Sequence, residues 1–167
     1  VINYAEDTRY SPDMLSTHER IMIPCVRGSS LKDVSDIVDG SLTQEFMEAS
    51  IILINEGQFF KDIVPWVIAA VEKYKKTVYV CGLDGDFQRN RFGNWLDLVP
   101  MCDKVTKLHS FCNKCKRKPA IFSYRVSDET TQKLIGSDSY IPLCRFCYNL
   151  QSTEIADYIP ETSLMFC

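Results

Sequence analysis

The sequence predicts an α/β protein with a small zinc-ribbon subdomain, and three observations carry that prediction. Ile51–Ile54 is continuously apolar, and Thr77–Leu83 repeats the pattern through Val78, Tyr79 and Val80. The helical stretch between them completes a strand–helix–strand unit of about 30 residues, the βαβ crossover of a parallel sheet. Two CxxC pairs, Cys112-Asn113-Lys114-Cys115 and Cys144-Arg145-Phe146-Cys147, bracket a segment long enough for a β-hairpin. A chain of 167 residues with 46% hydrophobic content suits one globular domain with a small appendage.

Taken in order, Val1–Tyr4 reads as the tail of a strand. Ser30, with Asp33 three positions on, starts a short helix that Gly40 stops, and Leu42–Ala49 reads as another. Ile51–Ile54 is expected to be buried on both faces of its sheet. The helix from Asp62 to Lys76 has Asp62 as its N-cap, Pro65 in the tolerated first turn, and lysines at the end favoured by the dipole. After Pro100 the texture changes: Lys104–Leu108, Ala120–Val126 and Thr131–Ile135 read as short strands, the last two pairing between the knuckles. Residues 1–105 thus form the α/β part and 106–150 the zinc ribbon. The polar tail 151–167, with Pro160 and no periodicity, is assigned no structure.

Four cysteines in two knuckles form a tetrahedral set of soft ligands suited to structural Zn²⁺; unrelated buried thiols or two disulfides are the alternatives. Cys25, Cys81, Cys102 and Cys167 show no pairing pattern. No apolar run approaches the roughly 20 residues of a membrane span. Val1–Tyr10 is polar and charged, unlike a signal peptide, so the cysteines read as those of a reducing, cytoplasmic protein. A net charge of −3 and a pI near 5.4 count against general nucleic-acid binding. Lys104, Lys107, Lys114, Lys116, Arg117, Lys118 and Arg125 cluster around the first knuckle, either as a solvated face or as a patch attracting phosphate.

Ligands of open α/β sheets bind beyond the carboxyl ends of the strands. Asn55-Glu56-Gly57-Gln58-Phe59-Phe60 follows the first apolar strand, and Leu83-Asp84-Gly85-Asp86-Phe87-Gln88-Arg89 follows the second. Glu56 and Asp84 would meet in one crevice walled by Phe59, Phe60 and Phe87, fitting a planar polar substrate and a cation; alternatively both simply cap helices.

These two segments, with Asp62-Ile63 after the first and Phe92-Gly93 after the second, closely resemble the DEGQFFxDI and LDGTFQRxxFG stretches of type II thymidine kinases, the human cytosolic and poxvirus type. Asp7-Thr8-Arg9-Tyr10, Thr17-His18, Val99-Pro100, Lys107-Leu108, both knuckles, Phe122-Ser123-Tyr124-Arg125 and Ile135-Gly136 to Tyr140 extend the match from residue 1 to about 148, in order. The resemblance implies a P-loop-NTPase-like parallel sheet and transfer of the ATP γ-phosphoryl to the 5′-hydroxyl of thymidine, in the cytoplasm. By resemblance Glu56 is the general base. Phe59, Leu83, Phe87, Phe92 and Tyr140 line the thymidine pocket, and Ser123 sits near the thymine methyl. Gly136–Tyr140 belongs to a loop, tethered by zinc, that holds the base. Asp7 and Arg9 match positions near the sugar and phosphate end. Kinship further implies Mg²⁺ with ATP, feedback by thymidine triphosphate and a homotetramer, while the acidic pI and the lack of a long apolar run count against nucleic-acid and membrane partners.

Three departures stand out. Nothing matches GxxxxGK[ST], so the chain reads as a fragment missing the P-loop and its strand, not expected to turn over alone. Asn55 replaces an aspartate that helps hold Mg²⁺, leaving a neutral, weaker ligand. Asp86 stands where a small hydroxyl residue is usual. The first two departures support an alternative, a catalytically impaired pseudokinase that binds nucleoside or a partner subunit. A zinc-ribbon nucleic-acid module is the third reading, suggested by the basic cluster.

Overall fold

A computed structural model describes residues 1–7, 14–16, 19–132 and 139–152. They divide into two compact units: Val1–Asp84 with Arg91–Lys104, and Gly85–Asn90 with the chain from Val105 onward.

The first unit is α/β. Strand β1 (Ile2–Tyr4) is followed by the hairpin β2 (Met14–Ser16) and β3 (Met22–Pro24), then β4 (Val26–Gly28), helices α1 (Leu31–Val34) and α2 (Gln44–Glu48), β5 (Ile51–Ile54), α3 (Ile63–Ile68) and β6 (Thr77–Val80). Four strands form a parallel sheet in the order β4-β1-β5-β6, with Ile2 opposite both Val26 and Ile54, and Leu53 opposite Tyr79. The Ser30 hydroxyl accepts the Asp33 N–H at 3.2 Å, and the Asp33 carboxylate accepts the Ser30 N–H at 3.0 Å, so the capping box forms as expected. The helix nevertheless ends at Val34, where Ser35 turns extended; Gly40, at φ 97°, instead closes the turn whose amides bond Asp36 O.

Asp62 caps a different helix from the one expected. It makes no side-chain cap on α3, while its two carboxylate oxygens accept the Leu31 and Lys32 N–H groups at 3.1 and 2.9 Å, satisfying the first amides of α1. Helix α3 runs into a π-helical turn, Ala69–Lys73, ending near the expected place. Its buried face (Ile63, Trp66, Val67 and Ala70) lies in a core with Leu31, Ile37, Phe46, Ile52 and Ile54. Trp66 stands edge-on to Phe46 with centroids 5.6 Å apart and donates its indole N–H to Ser35 O at 2.8 Å.

The double burial expected of β5 is not found. Ile52 and Ile54 are buried, whereas Ile51 is 59% and Leu53 39% exposed among the described residues, beside an exposed Tyr79. Continuous hydrophobicity in the sequence therefore did not translate into burial on both faces.

The second unit contains β7 (Ser110–Phe111) paired antiparallel with β8 (Pro119–Ala120), and β9 (Phe122–Arg125) paired with β10 (Tyr140–Leu143), followed by α4 (Arg145–Ser152). The partner of β9 is therefore Tyr140–Leu143, with Ser123 opposite Pro142, and not Thr131–Ile135; residues 133–135 lie outside the described ones. Tyr-Ile-Pro-Leu is the apolar run that leads into the second knuckle, so this register delivers Cys144 to the first. Lys104–Leu108 is exposed throughout and forms no strand among the described residues.

Candidate functional site

The chain leaves β1 toward β4 and leaves β5 toward β6, on opposite sides, so the sheet has a switch point between the carboxyl ends of β1 and β5. Asp7 follows β1 there, and Asn55 and Glu56 follow β5. Polar side chains cross the sheet at this end. Asn3, fully buried on β1, donates to the Asp7 carboxylate at 3.5 Å and accepts from the Asn55 amide at 3.0 Å. Asn55 Oδ1 accepts from the Cys81 thiol at 3.3 Å, and Arg27 donates to Asp7 O at 2.8 Å. Cys81 is exposed as a residue, yet its sulfur lies against β5. That partial burial, then the Glu56 carboxylate, push its thiol pKa up.

Glu56 adopts a left-handed backbone, φ 56° and ψ 43°, which costs a non-glycine residue about 1–2 kcal/mol. Such strain persists only where neighbours impose it. Gln58 does so here: its buried amide donates to Glu56 Oε2 at 2.6 Å and accepts the Leu83 N–H at 3.1 Å, joining the ends of β5 and β6. The glycines around Gln58 leave it no slack. A Cβ on Gly82 would lie 2.5 Å from Gln58 Oε1, and one on Gly93 would collide with Gln58 O. Gln58 carried no role in the sequence reading; its only signal was its place two residues after Glu56. Asn3 had a clearer one, a polar residue inside an otherwise buried strand.

Phe59 and Phe92 meet edge-on at 5.4 Å, and Tyr4 packs on Phe59 at 4.9 Å. Leu83 is exposed, and its carbonyl accepts the Trp95 indole N–H at 3.0 Å. Phe60 is not a site wall: it is fully buried in the core, edge-on to Tyr4. Asp84 is exposed, and its carbonyl accepts the Phe92 N–H at 3.2 Å. Arg9, Gly136, Thr17 and His18 lie outside the described residues.

In the second unit Phe87, Tyr140 and Arg125 come together. The Arg125 guanidinium sits 3.8 Å from the Phe87 ring centroid and bonds the Tyr140 hydroxyl. Arg125 is only 5% exposed, so it does not belong to a basic surface around the knuckle.

The four knuckle cysteines converge. Their sulfurs all lie within 4.8 Å of one another, and Cys112, Cys144 and Cys147 are buried. Lys116, in a left-handed conformation, turns the first knuckle so that its N–H reaches Cys112 O at 3.0 Å; Cys147 lies in the first turn of α4. Burial pushes the Cys112 thiol up, but backbone amides of Cys144, Cys115 and Lys114 outweigh it and bring the pKa down to about 6. Burial, then the neighbouring Cys144 and Cys112 sulfurs, push Cys147 up to about 12. Thiols this close cannot all ionise unless a cation sits among them, and four sulfurs at these separations could hold a metal.

The sequence profile described as thymidine kinase matches residues 1–148. The chain is 39% identical over 149 residues to a thymidine kinase of Oryza sativa subsp. japonica, covering 89% of this chain and 54% of the relative. It is 39% identical over 148 residues to the cytosolic thymidine kinase of Homo sapiens, covering 89% and 59%. Against the thymidine kinase of Myxoma virus (strain Uriarra) it is 39% identical over 149 residues, covering 89% and 78%. The chain thus spans little more than half the length of the rice and human relatives. No helix among the described residues is long and apolar enough to cross a membrane. Through the profile match, the relatives and its converging cysteines, the chain belongs to the thymidine kinase family.

Proposed function

We propose that the protein carrying this chain transfers the γ-phosphoryl of ATP to the 5′-hydroxyl of thymidine, with Glu56 as general base. One observation carries the reading: the Glu56 carboxylate, on strained backbone at the sheet's switch point, is held by a buried amide rather than left to wander. Phosphoryl transfer asks a protein mainly for a positioned acceptor and for charge neutralisation, and a fixed carboxylate supplies the first by taking the alcohol proton. The relatives are kinases by name, which favours this reading over the pseudokinase.

Nucleoside binding is assigned by resemblance to Phe59, Leu83, Phe87, Phe92, Ser123, Gly136 and Tyr140. Asp7 and Arg9 are assigned to the sugar and phosphate end. Residues 1–105 serve as the kinase body of P-loop type, 106–150 as the zinc-ribbon flap and 151–167 as a tail. Cys112, Cys115, Cys144 and Cys147 would hold Zn²⁺, which has a structural role. Magnesium would accompany ATP. Asn55 could offer it only a neutral amide oxygen that already accepts the Cys81 thiol, so phosphates and water would have to supply most of its ligands. A cytoplasmic homotetramer inhibited by thymidine triphosphate completes the proposal.

The test is to incubate a full-length protein carrying these residues with magnesium–ATP and each nucleoside in turn. Thymidine 5′-monophosphate should form, with purine nucleosides left untouched. Absence of product together with retained thymidine binding would overturn the kinase assignment.

A further inference from the structure

Asp86 is a buried carboxylate whose two oxygens have separate partners. Oδ1 accepts the Gln88 and Asn90 N–H groups at 2.9 and 2.8 Å, which holds the Gly85–Asn90 turn closed. Oδ2 accepts the side-chain amide of Gln132 at 2.8 Å, a residue 46 positions away. Gln132 is gripped a second time through its main chain: Arg125 donates to Gln132 O at 3.2 Å, to Glu129 O at 2.8 Å and to Thr131 O, while its guanidinium stacks on Phe87, next to Asp86. Among the described residues Arg125 has no carboxylate within ion-pair distance; carbonyls, a phenol and an aromatic face take its charge. The same turn is pinned from below, with the Tyr148 hydroxyl donating to Phe87 O at 2.5 Å and Arg89 stacked on the Tyr148 ring at 4.8 Å. All these residues belong to the second unit.

We propose that Asp86 and Arg125 are positioning residues that fasten the 129–132 segment to the Gly85–Asn90 turn through Gln132. On the nucleoside-binding reading above, this fastening sets affinity for the nucleoside, because it fixes Phe87 and, through Arg125, Tyr140. A hydroxyl residue at position 86 has one oxygen and could close the turn, but it has no second oxygen for Gln132. The carboxylate therefore gives this chain a tether that the usual residue would not.

The test measures thymidine affinity by calorimetry on the zinc-loaded protein, together with backbone order parameters over residues 129–132. Asp86→Thr and Gln132→Leu should each weaken binding about tenfold, the size of one charge-assisted hydrogen bond, and the double variant should be no worse than either. Asp86→Asn should keep the affinity, since the Gln132 amide can turn over and accept. Order parameters over 129–132 should fall in Asp86→Thr and Gln132→Leu, with zinc content unchanged. Unchanged affinities, or losses that add in the double variant, overturn the proposal and leave the kinase reading intact. Should the unsubstituted protein fail to bind thymidine, the functional reading falls. The fastening is then judged by the order parameters alone: a fall supports it and no change overturns it.

Discussion

The two compact units achieve order by different means. In the first, a parallel sheet and the α3 face enclose Trp66, Phe60, Ile63 and Ile54, all at most 1% exposed, and Glu56 is positioned by groups anchored in that core. In the second, two two-stranded hairpins and one short helix surround a cluster of Cys112, Ala120, Leu143, Cys144, Cys147 and Tyr148, half of it cysteine. Hairpins of this size are marginal alone. A site built on packing tolerates the loss of one contact; a site built on four sulfurs depends on whatever joins them.

The largest effect should come from removing a metal that the four cysteines could hold. Structural Zn²⁺ contributes roughly 10 kcal/mol or more to small zinc modules, so chelation or Cys147→Ser should erase amide-exchange protection across β9, β10 and α4 while β1 and β5 keep theirs. Equal loss in both units would remove the contrast. Next, Trp66→Ala should cost about 3–5 kcal/mol of stability in denaturant unfolding, with zinc stoichiometry unchanged. A smaller effect is expected of Asp62→Ala, about 1 kcal/mol, because it strips two amides of α1 of their acceptor. Since Asp62 does not cap α3, hydrogen exchange should quicken at Leu31 and Lys32 and not along α3.

What could be read in advance was local. The Ser30–Asp33 box, the Ile51–Ile54 strand and both knuckles depend on residues a few positions apart, and spacing alone reveals them. What escaped was non-local. Asp62 lies where an N-cap belongs, but its carboxylate reaches amides 30 positions upstream. Thr131 and Gln132 follow the β9 strand as a hairpin partner would, yet Arg125 takes their carbonyls. Apolar character placed Phe60 beside Phe59 without showing which ring faced the core. The family motifs named Glu56, while the left-handed backbone and the Gln58 clamp that fix it could be seen only in three dimensions.

The central claim is that this clamped carboxylate accepts the nucleoside proton. Single-turnover phosphoryl transfer by the full-length Glu56→Gln protein, with thymidine binding measured on the same sample, tests it most directly. The rate should fall by roughly 10²–10⁴-fold, with thymidine affinity changed by less than about threefold. A rate within a few-fold of the unsubstituted protein would contradict it.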